Sequence, residues 1–317
     1  MLVSVIIPCF NEEAVIRETS SHLGSALVDD TRFQFEFIYI DDGSRDSTRT
    51  ILDALAEGDR RIKLIAFSRN FGHQPAVSAG LKQSRGELAV IIDADLQDPP
   101  EVVPQMIELL ITSGSNVVYG VRKKRQGETV FKRVTAKLFY SILNSLSEYP
   151  LPVNTGDFRV IDRKIIDAFN ALPENNKYIR GLISWIGFKQ TPFYYERLPR
   201  FAGVTKYSIH RMVRFAATAI FYFSKKPLQM ATGLGFTSVV AGFVLFVWIL
   251  SNKLANPRYL VTGWTSVILA IIFFGGVQLL TIGILGQYIG SLFDEIKKRP
   301  EYIIAQTKNL EVPPARE

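Results

Sequence analysis

The sequence predicts an α/β domain built on a mostly parallel, twisted sheet, followed by two helices that cross a membrane. Three observations carry that expectation. Over roughly the first two hundred residues, short aliphatic runs alternate with helical patterns, as strand and helix must in a parallel sheet. A polar cluster follows four of the runs directly, so the loops at one edge of the sheet are rich in functional groups. Further on, no charge falls between Lys226 and Lys253 or between Arg258 and Asp294. Each of these stretches meets the roughly 20 apolar residues that a bilayer crossing needs.

The strands are expected at "LVSVIIP", "FQFEFIYIDD", "RIKLIAFS", "ELAVIID" and "SNVVYGVR". They are near-continuous in Val and Ile, the pattern of parallel strands covered on both faces. Helical patterns lie between them at "EEAVIRETSSHLGSAL", "DSTRTILDALAEG", "QPAVSAGLKQS" and "PPEVVPQMIELLITS". The second has Asp46 or Ser47 available as an N-cap, and the last opens on prolines, which suit a helix start. Asp98 reads as a cap or turn residue of the "DPP" segment before that last helix.

Hydrophobic residues make up 47% of the 317, and the mean hydropathy is positive, high for a purely soluble chain. The opening "MLVSVIIPCFNEE" lacks the basic region and small-residue cleavage site of a signal peptide, so folded structure is expected from the start. Basic residues set the expected orientation. Arg211, Arg214, Lys225 and Lys226 precede the first span and Lys297, Lys298 and Arg299 follow the second, while the connection carries Lys253 and Arg258. Both termini are therefore expected on the cytoplasmic side. The net charge of +7 is unevenly spread: from Arg197 to Phe293 there are nine basic and no acidic residues, leaving −2 for the remainder. Cations beside apolar spans suit anionic headgroups or a lipid phosphate rather than nucleic acid. The single Cys9 fits a reducing compartment and reads as a small hydrophobe.

The clusters "PCFNEE", "DDGSRDST", "FSRNFGHQ" and "DADLQD" each follow a strand and should meet in one composite site. The first strand is followed by no G-x-G-x-x-G, and no G-K-[ST] is present, which disfavours a dinucleotide-binding dehydrogenase or a P-loop. Asp93 and Asp95 leave the end of the fourth strand together, with Gln97 as a neutral oxygen donor and Asp41 and Asp42 on the same edge. Hard oxygen ligands of this kind suit Mg²⁺ or Mn²⁺ held jointly with substrate phosphates.

The successive segments "SVIIPCFNEE", "DDGSRDST", "RNFGHQPAVSAGL", "IIDADLQDPPE" and "FAGVTKYS" resemble the motifs of the family-2 glycosyltransferases that use a polyprenyl phosphate acceptor, such as dolichol-phosphate mannose synthase and the bacterial bactoprenol glucosyltransferases. The resemblance spans essentially the whole chain, including two C-terminal membrane helices. It implies a GT-A fold, a nucleotide-sugar donor, a divalent cation and inversion at the anomeric carbon. It also implies that Pro8, Asn11 and Glu12 with Asp41 and Asp42 hold the uridine and ribose, with Asp93 on both nucleotide and metal. Asp93, Asp95 and Gln97 are then the metal ligands, and Asp95 and Asp157 the catalytic pair. Asp157, in "NTGDFRV", stands where related inverting enzymes place a base. Removing a proton from the acceptor phosphate and holding sugar hydroxyls both remain open to it. Phe10 stands where the family commonly has tyrosine, so packing is kept at that position and a hydroxyl is not.

A lipid monophosphate carries one to two negative charges and needs cations. The candidates are Arg122 at the end of the fifth strand, Lys137 and Ser141 on one helix face, and Arg200 and Lys206 in "RFAGVTKYS". The expected organisation is a GT-A domain at residues 1–205, with a basic amphipathic helix at 129–147 on the membrane surface. A juxtamembrane helix at 206–226 follows, then spans at 227–251 and 260–293 around an extracytoplasmic loop at 252–259. The tail at 294–317 is expected to be cytoplasmic, with "EYIIAQTKNLEVPPARE" at 301–317 mobile. Gly286 and Gly290 permit close helix approach, either between the two spans or in a homo-oligomer. The expected protein is thus a multi-pass enzyme of the bacterial plasma membrane that transfers glucose from UDP-glucose to undecaprenyl phosphate. Mannose or an aminosugar as the transferred group, or a non-catalytic membrane-anchored nucleotide-binding subunit, are the alternatives. A processive polysaccharide synthase would show Q-x-x-R-W and more spans, and this chain shows neither.

Overall fold

A computed structural model describes residues 1–29, 31–123, 155–175, 177–197, 225–255 and 263–310. All five aliphatic runs form strands: β1 (Leu2–Cys9), β2 (Gln34–Asp41), β3 (Ile62–Phe67), β4 (Leu88–Ile91) and β5 (Val117–Arg122). Between them lie α1 (Ile16–Ala26), α2 (Thr48–Gly58), α3 (His73–Gln83) and α4 (Val103–Ser113), the last entered through a 3-10 turn at Pro100–Val102. The same unit holds β6 (Thr155–Asp162), α5 (Arg163–Ala171), α6 (Ile179–Ile186), β7 (Gln190–Tyr195) and β8 (Ile304–Lys308).

The eight strands form one sheet in the order β7-β5-β6-β4-β1-β2-β3-β8. β4, β1, β2 and β3 run parallel, as do β5 and β7, while β6 is antiparallel to both β4 and β5. Alternate residues of the central strands serve opposite faces. Val5, Ile7, Tyr39 and Val90 pack with Ile16, Leu23, Leu52, Met106 and Ile107 of α1, α2 and α4. Ile6, Ile38, Ile40 and Ile91 are buried on the other side, where α3 and α5 supply Val77, Leu81, Ile165 and Phe169. Two covered faces explain why these strands read as unbroken apolar runs rather than alternating ones. Chain order reverses between β1 and β4, which makes their carboxyl ends the place where a ligand fits.

The tail departs from its expected mobility. "IAQTK" forms β8, antiparallel to β3 with Leu64 opposite Lys308 and Ala66 opposite Gln306. It covers what would otherwise be the bare edge of β3. Its side chains are largely exposed, so no burial pattern marked it in the sequence.

The second unit contains α7 (Lys226–Ala255) and α8 (Trp264–Ile296). Lys226–Asn252 and Ala270–Ile296 are long and apolar enough to cross a membrane, with mean hydropathies of 2.2 and 1.8. Phe236, Phe243, Ile271 and Leu279 are exposed along them, an outward-facing apolar surface that a core helix of a soluble protein does not present. A Cβ placed at Gly286 or Gly290 would meet no described atom within 4 Å, so these glycines do not serve close packing between the two helices among the described residues. The amphipathic segment at 129–147 and residues 206–224 lie outside the described residues.

Candidate active site

The site is assembled by strand register. β4 ends at Ile91, opposite Ile6 of the longer β1, and after Ile92 the chain enters the "DADLQ" turn. β6 enters antiparallel to β4 with Arg159 opposite Ile91. Continuing that register by two residues brings Asp157 level with Asp93. On the far side of β6, β5 and β7 run parallel and bring Arg122 opposite Tyr195. Residues far apart in the chain therefore share one rim.

The first two loops are laced together. Asn11, in the left-handed region at φ 55°, accepts from the Arg45 N–H at 2.9 Å through its side-chain oxygen, and its own N–H donates to Ser44 Oγ at 3.0 Å. The Glu12 N–H donates to Thr48 Oγ1 at 2.8 Å. Asp41, buried, accepts from the Ser44 N–H at 3.0 Å. Asp46 accepts from the Thr48 N–H at 3.0 Å at the start of α2. Pro8 lies within β1, paired with Ile40. Phe10, 40% exposed, leaves a flat ring open beside these loops.

Asp42 is engaged by the loop after β3. Its oxygens accept from the Phe71 N–H at 2.6 Å, the Gly72 N–H at 2.9 Å and Asn70 Nδ2 at 2.8 Å. Burial raises the carboxyl above its ordinary value, and the two backbone donors pull the other way. Gly43, at φ 66°, allows this approach, because a Cβ there would stand 2.3 Å from the Arg69 carbonyl carbon.

Asp157 is held by cations. Arg180 Nε lies 2.9 Å from its Oδ1, His73 Nε2 lies 3.0 Å from its Oδ2, and Arg159 is 3.8 Å away. Gln74 Nε2 donates to Asp157 Oδ2 at 3.4 Å, and Gln74 Oε1 ties α6 in by accepting from the Ile179 N–H at 2.9 Å. Burial alone would raise the Asp157 carboxyl, but His73 and the arginines outweigh it and hold the group well below the carboxylate range. For His73, burial would lower the imidazole, yet the bond to Asp157 and the charge of Asp93 bring it to about 9. A positive imidazolium, 38% exposed, thus stands between Asp157 and Asp93, whose Oδ1 is 3.8 Å distant. Asp93 itself is pushed up to about 6 by burial and neighbouring carboxylates, against the pull of His73.

Asp98 is a buried network carboxylate rather than the helix cap expected of the "DPP" segment. It is 1% exposed, it accepts from Tyr195 Oη, and Arg197 Nε lies 3.3 Å from it, while the 3-10 turn after it has no side-chain cap. Burial of this carboxylate is tolerable because a phenol and a guanidinium neutralise it. Arg197 also approaches Asp95 Oδ2 at 4.0 Å, and Asp95 Oδ1 accepts from the Gln97 N–H at 3.1 Å. Arg122 joins the network through Tyr195 and lies over Gly156, where a Cβ would sit 2.4 Å from its guanidinium nitrogen.

Of the residues expected from the sequence, Pro8, Asn11, Glu12, Asp41, Asp42, Asp93, Asp95, Gln97, Asp157 and Arg122 fall on this rim. Lys137, Ser141, Arg200 and Lys206 lie outside the described residues. Sequence reasoning gave no role to His73, Gln74, Arg180, Tyr195 and Arg197. His73 at least sat in one of the polar clusters, whereas Arg180 and Arg197 carried no motif. Among the described residues no group of three His, Cys, Asp or Glu side chains could hold a metal alone. The set that is present, two carboxylates and an amide oxygen in one turn, fits a hard divalent cation that takes its remaining ligands from substrate phosphates and water.

Residues 4–169 match the family model for glycosyl transferase family 2. The chain is 44% identical to an uncharacterised glycosyltransferase of Bacillus subtilis, over 97% of this chain and 94% of that one. It is 36% identical to a prophage-derived bactoprenol glucosyl transferase of Shigella flexneri, over 97% and 98% respectively. Among solved structures, the glucosyl-3-phosphoglycerate synthase of Mycobacterium tuberculosis in complex with Mn²⁺, UDP-glucose and phosphoglyceric acid aligns with TM-score 0.48 and 24% identity, over 69% of this chain and 77% of that one. The chain belongs to the family-2 glycosyltransferases, and its α/β unit is a GT-A domain.

Proposed function

We propose that this glycosyltransferase moves a hexose, glucose from UDP-glucose, onto the phosphate of a polyprenyl phosphate such as undecaprenyl phosphate at the bacterial plasma membrane. The observation that carries the acceptor is the extent of the likeness to bactoprenol glucosyl transferases, which runs through 97% of this chain and so includes both apolar helices. In this reading the catalytic domain and both termini are cytoplasmic.

The loops after β1 and β2 hold the nucleoside, with Phe10 offering a ring face to the base. Asp93, Asp95 and Gln97 would hold Mg²⁺ or Mn²⁺ against the diphosphate, and that cation supplies charge neutralisation to the leaving group when bound. The lipid phosphate oxygen forms the new bond to the anomeric carbon as the carbon–oxygen bond to the diphosphate breaks, inverting the configuration. The nucleophile is already anionic, so positioning and charge stabilisation outweigh proton removal. Asp157 suits this division of labour: a carboxylate held so far below its ordinary range is a weak base but a firm anchor for His73 and Arg180. Arg122, with Lys137, Ser141, Arg200 and Lys206, is assigned to the acceptor phosphate.

The test is to incubate the purified full chain with undecaprenyl phosphate, Mg²⁺ and radiolabelled UDP- and GDP-sugars, then extract lipid. Label from UDP-glucose in the organic phase is the expected result. Label from a mannose or aminosugar donor would replace the sugar, and label from none would favour a non-catalytic nucleotide-binding subunit.

A further inference from the structure

Residues 299–309 form a strap across the GT-A unit, and its middle touches the loop that engages Asp42. Both ends are tied. The partly buried Glu301 carboxyl lies beside Ser78 of α3, with Lys177 and Lys82 nearby. At the other end Lys308 Nζ lies 2.7 Å from Glu57 and donates to the Asp53 carbonyl at 3.1 Å, while Asn309 Nδ2 donates to the Ile62 carbonyl at 2.9 Å.

Between these anchors Tyr302 stacks on Phe67, the last residue of β3, with centroids 4.9 Å apart and planes 11° from parallel. Phe67 meets Phe71 edge-on at 5.7 Å, and the Ser68 N–H donates to the Ile303 carbonyl at 2.9 Å. The loop then places Asn70, Phe71 and Gly72 on Asp42, and Gly72 leads directly into His73. One short irregular segment therefore joins both halves of the site. Fixing its residues costs backbone entropy, which the contacts on either side must offset.

We propose that Tyr302 and Ile303 are positioning residues for donor binding: they hold residues 68–72 in the shape that grips Asp42, so nucleotide affinity depends on a strap that touches no substrate. This rests on the reading that the rim binds a nucleoside diphosphate sugar.

The experiment is calorimetric titration of UDP into the full chain in detergent, for the unaltered protein, Tyr302→Phe and Tyr302→Leu. Tyr302→Phe keeps the stack and is expected to match the unaltered protein. Tyr302→Leu is expected to weaken UDP binding about tenfold, the upper range for a lost aromatic pair. In turnover assays the donor KM should rise while kcat and the lipid KM stay close to their original values. Equal UDP affinity in Tyr302→Leu overturns the positioning role alone, and absence of UDP binding by the unaltered protein overturns the donor reading as well. Hydrogen exchange on the unaltered protein gives a second readout that needs no variant to fold. UDP should slow exchange at the Ser68 amide and along Ile304–Lys308 together with Phe71 and Gly72, and protection confined to Phe71 and Gly72 contradicts the proposal.

Discussion

Asp157 illustrates how a residue's place in the chain and its surroundings answer different questions. Its motif position suggested a base, whereas two cations within 3.0 Å give it the character of a permanent anion. Replacing it with Asn leaves His73, Arg180 and Arg159 without their counter-charge. Breaking a buried ion pair in this way costs about 3–5 kcal/mol. Asp157→Asn should therefore lower both the midpoint of thermal unfolding and turnover, and the turnover loss should not be recovered at higher pH, as it would be if a missing base were the cause. A pH–rate profile of the variant beside its unfolding curve separates the two. The acidic residues of the rim were legible because carboxylates clustered after a strand have few other uses. Their partners were not. Nothing in "KYIRGLIS" or "YERLPR" marks Arg180 or Arg197, because it is the packing of α6 and the end of β7 that turns them toward Asp157 and Asp98.

At the scale of elements, the five parallel-type runs could be read directly since each is buried on both faces. β6, β7 and β8 could not. β6 carries Asp157 and Arg159 within a buried strand, which breaks the apolar signal; β7 has a proline and is largely half-buried, with Tyr194 exposed; β8 is an exposed edge. Yet β6 is the element whose antiparallel register delivers Asp157 to the rim. The sheet also holds a buried charge away from the site. Glu36 on β2 accepts from Ser4 Oγ and the Arg85 N–H and pairs with Lys63 on β3. Burial raises its carboxyl, but these partners more than compensate and leave it below the ordinary 4.5. A depressed folded value stabilises fully above the unfolded value and is lost as pH falls through the folded one. Glu36→Gln should thus unfold more easily than the unaltered protein at pH 7, by about 3 kcal/mol. That gap should narrow below pH 4.5, and chemical denaturation at both pH values measures it.

For the whole molecule, the uneven distribution of charge matches the division into units. A GT-A domain with an acidic rim is followed in sequence by a segment free of acid from Arg197 to Phe293 that contains the first apolar helix and all but the last three residues of the second. Composition alone pointed to these helices, because charge-free apolar runs of such length suit a bilayer crossing. The sugar stayed illegible, since a few hydroxyl contacts decide it. In the proposed reading, loops from four parallel strands and the start of β6 form one site for a nucleoside diphosphate held through a divalent cation. Titration of UDP into the full chain, with Mn²⁺ and with chelator, tests it most directly when Asp95→Ala is measured alongside. Mn²⁺ is expected to tighten UDP binding at least about tenfold, worth about 1.4 kcal/mol, and Asp95→Ala to abolish this gain. UDP binding of equal strength with chelator, or a Mn²⁺ gain that survives Asp95→Ala, would contradict it.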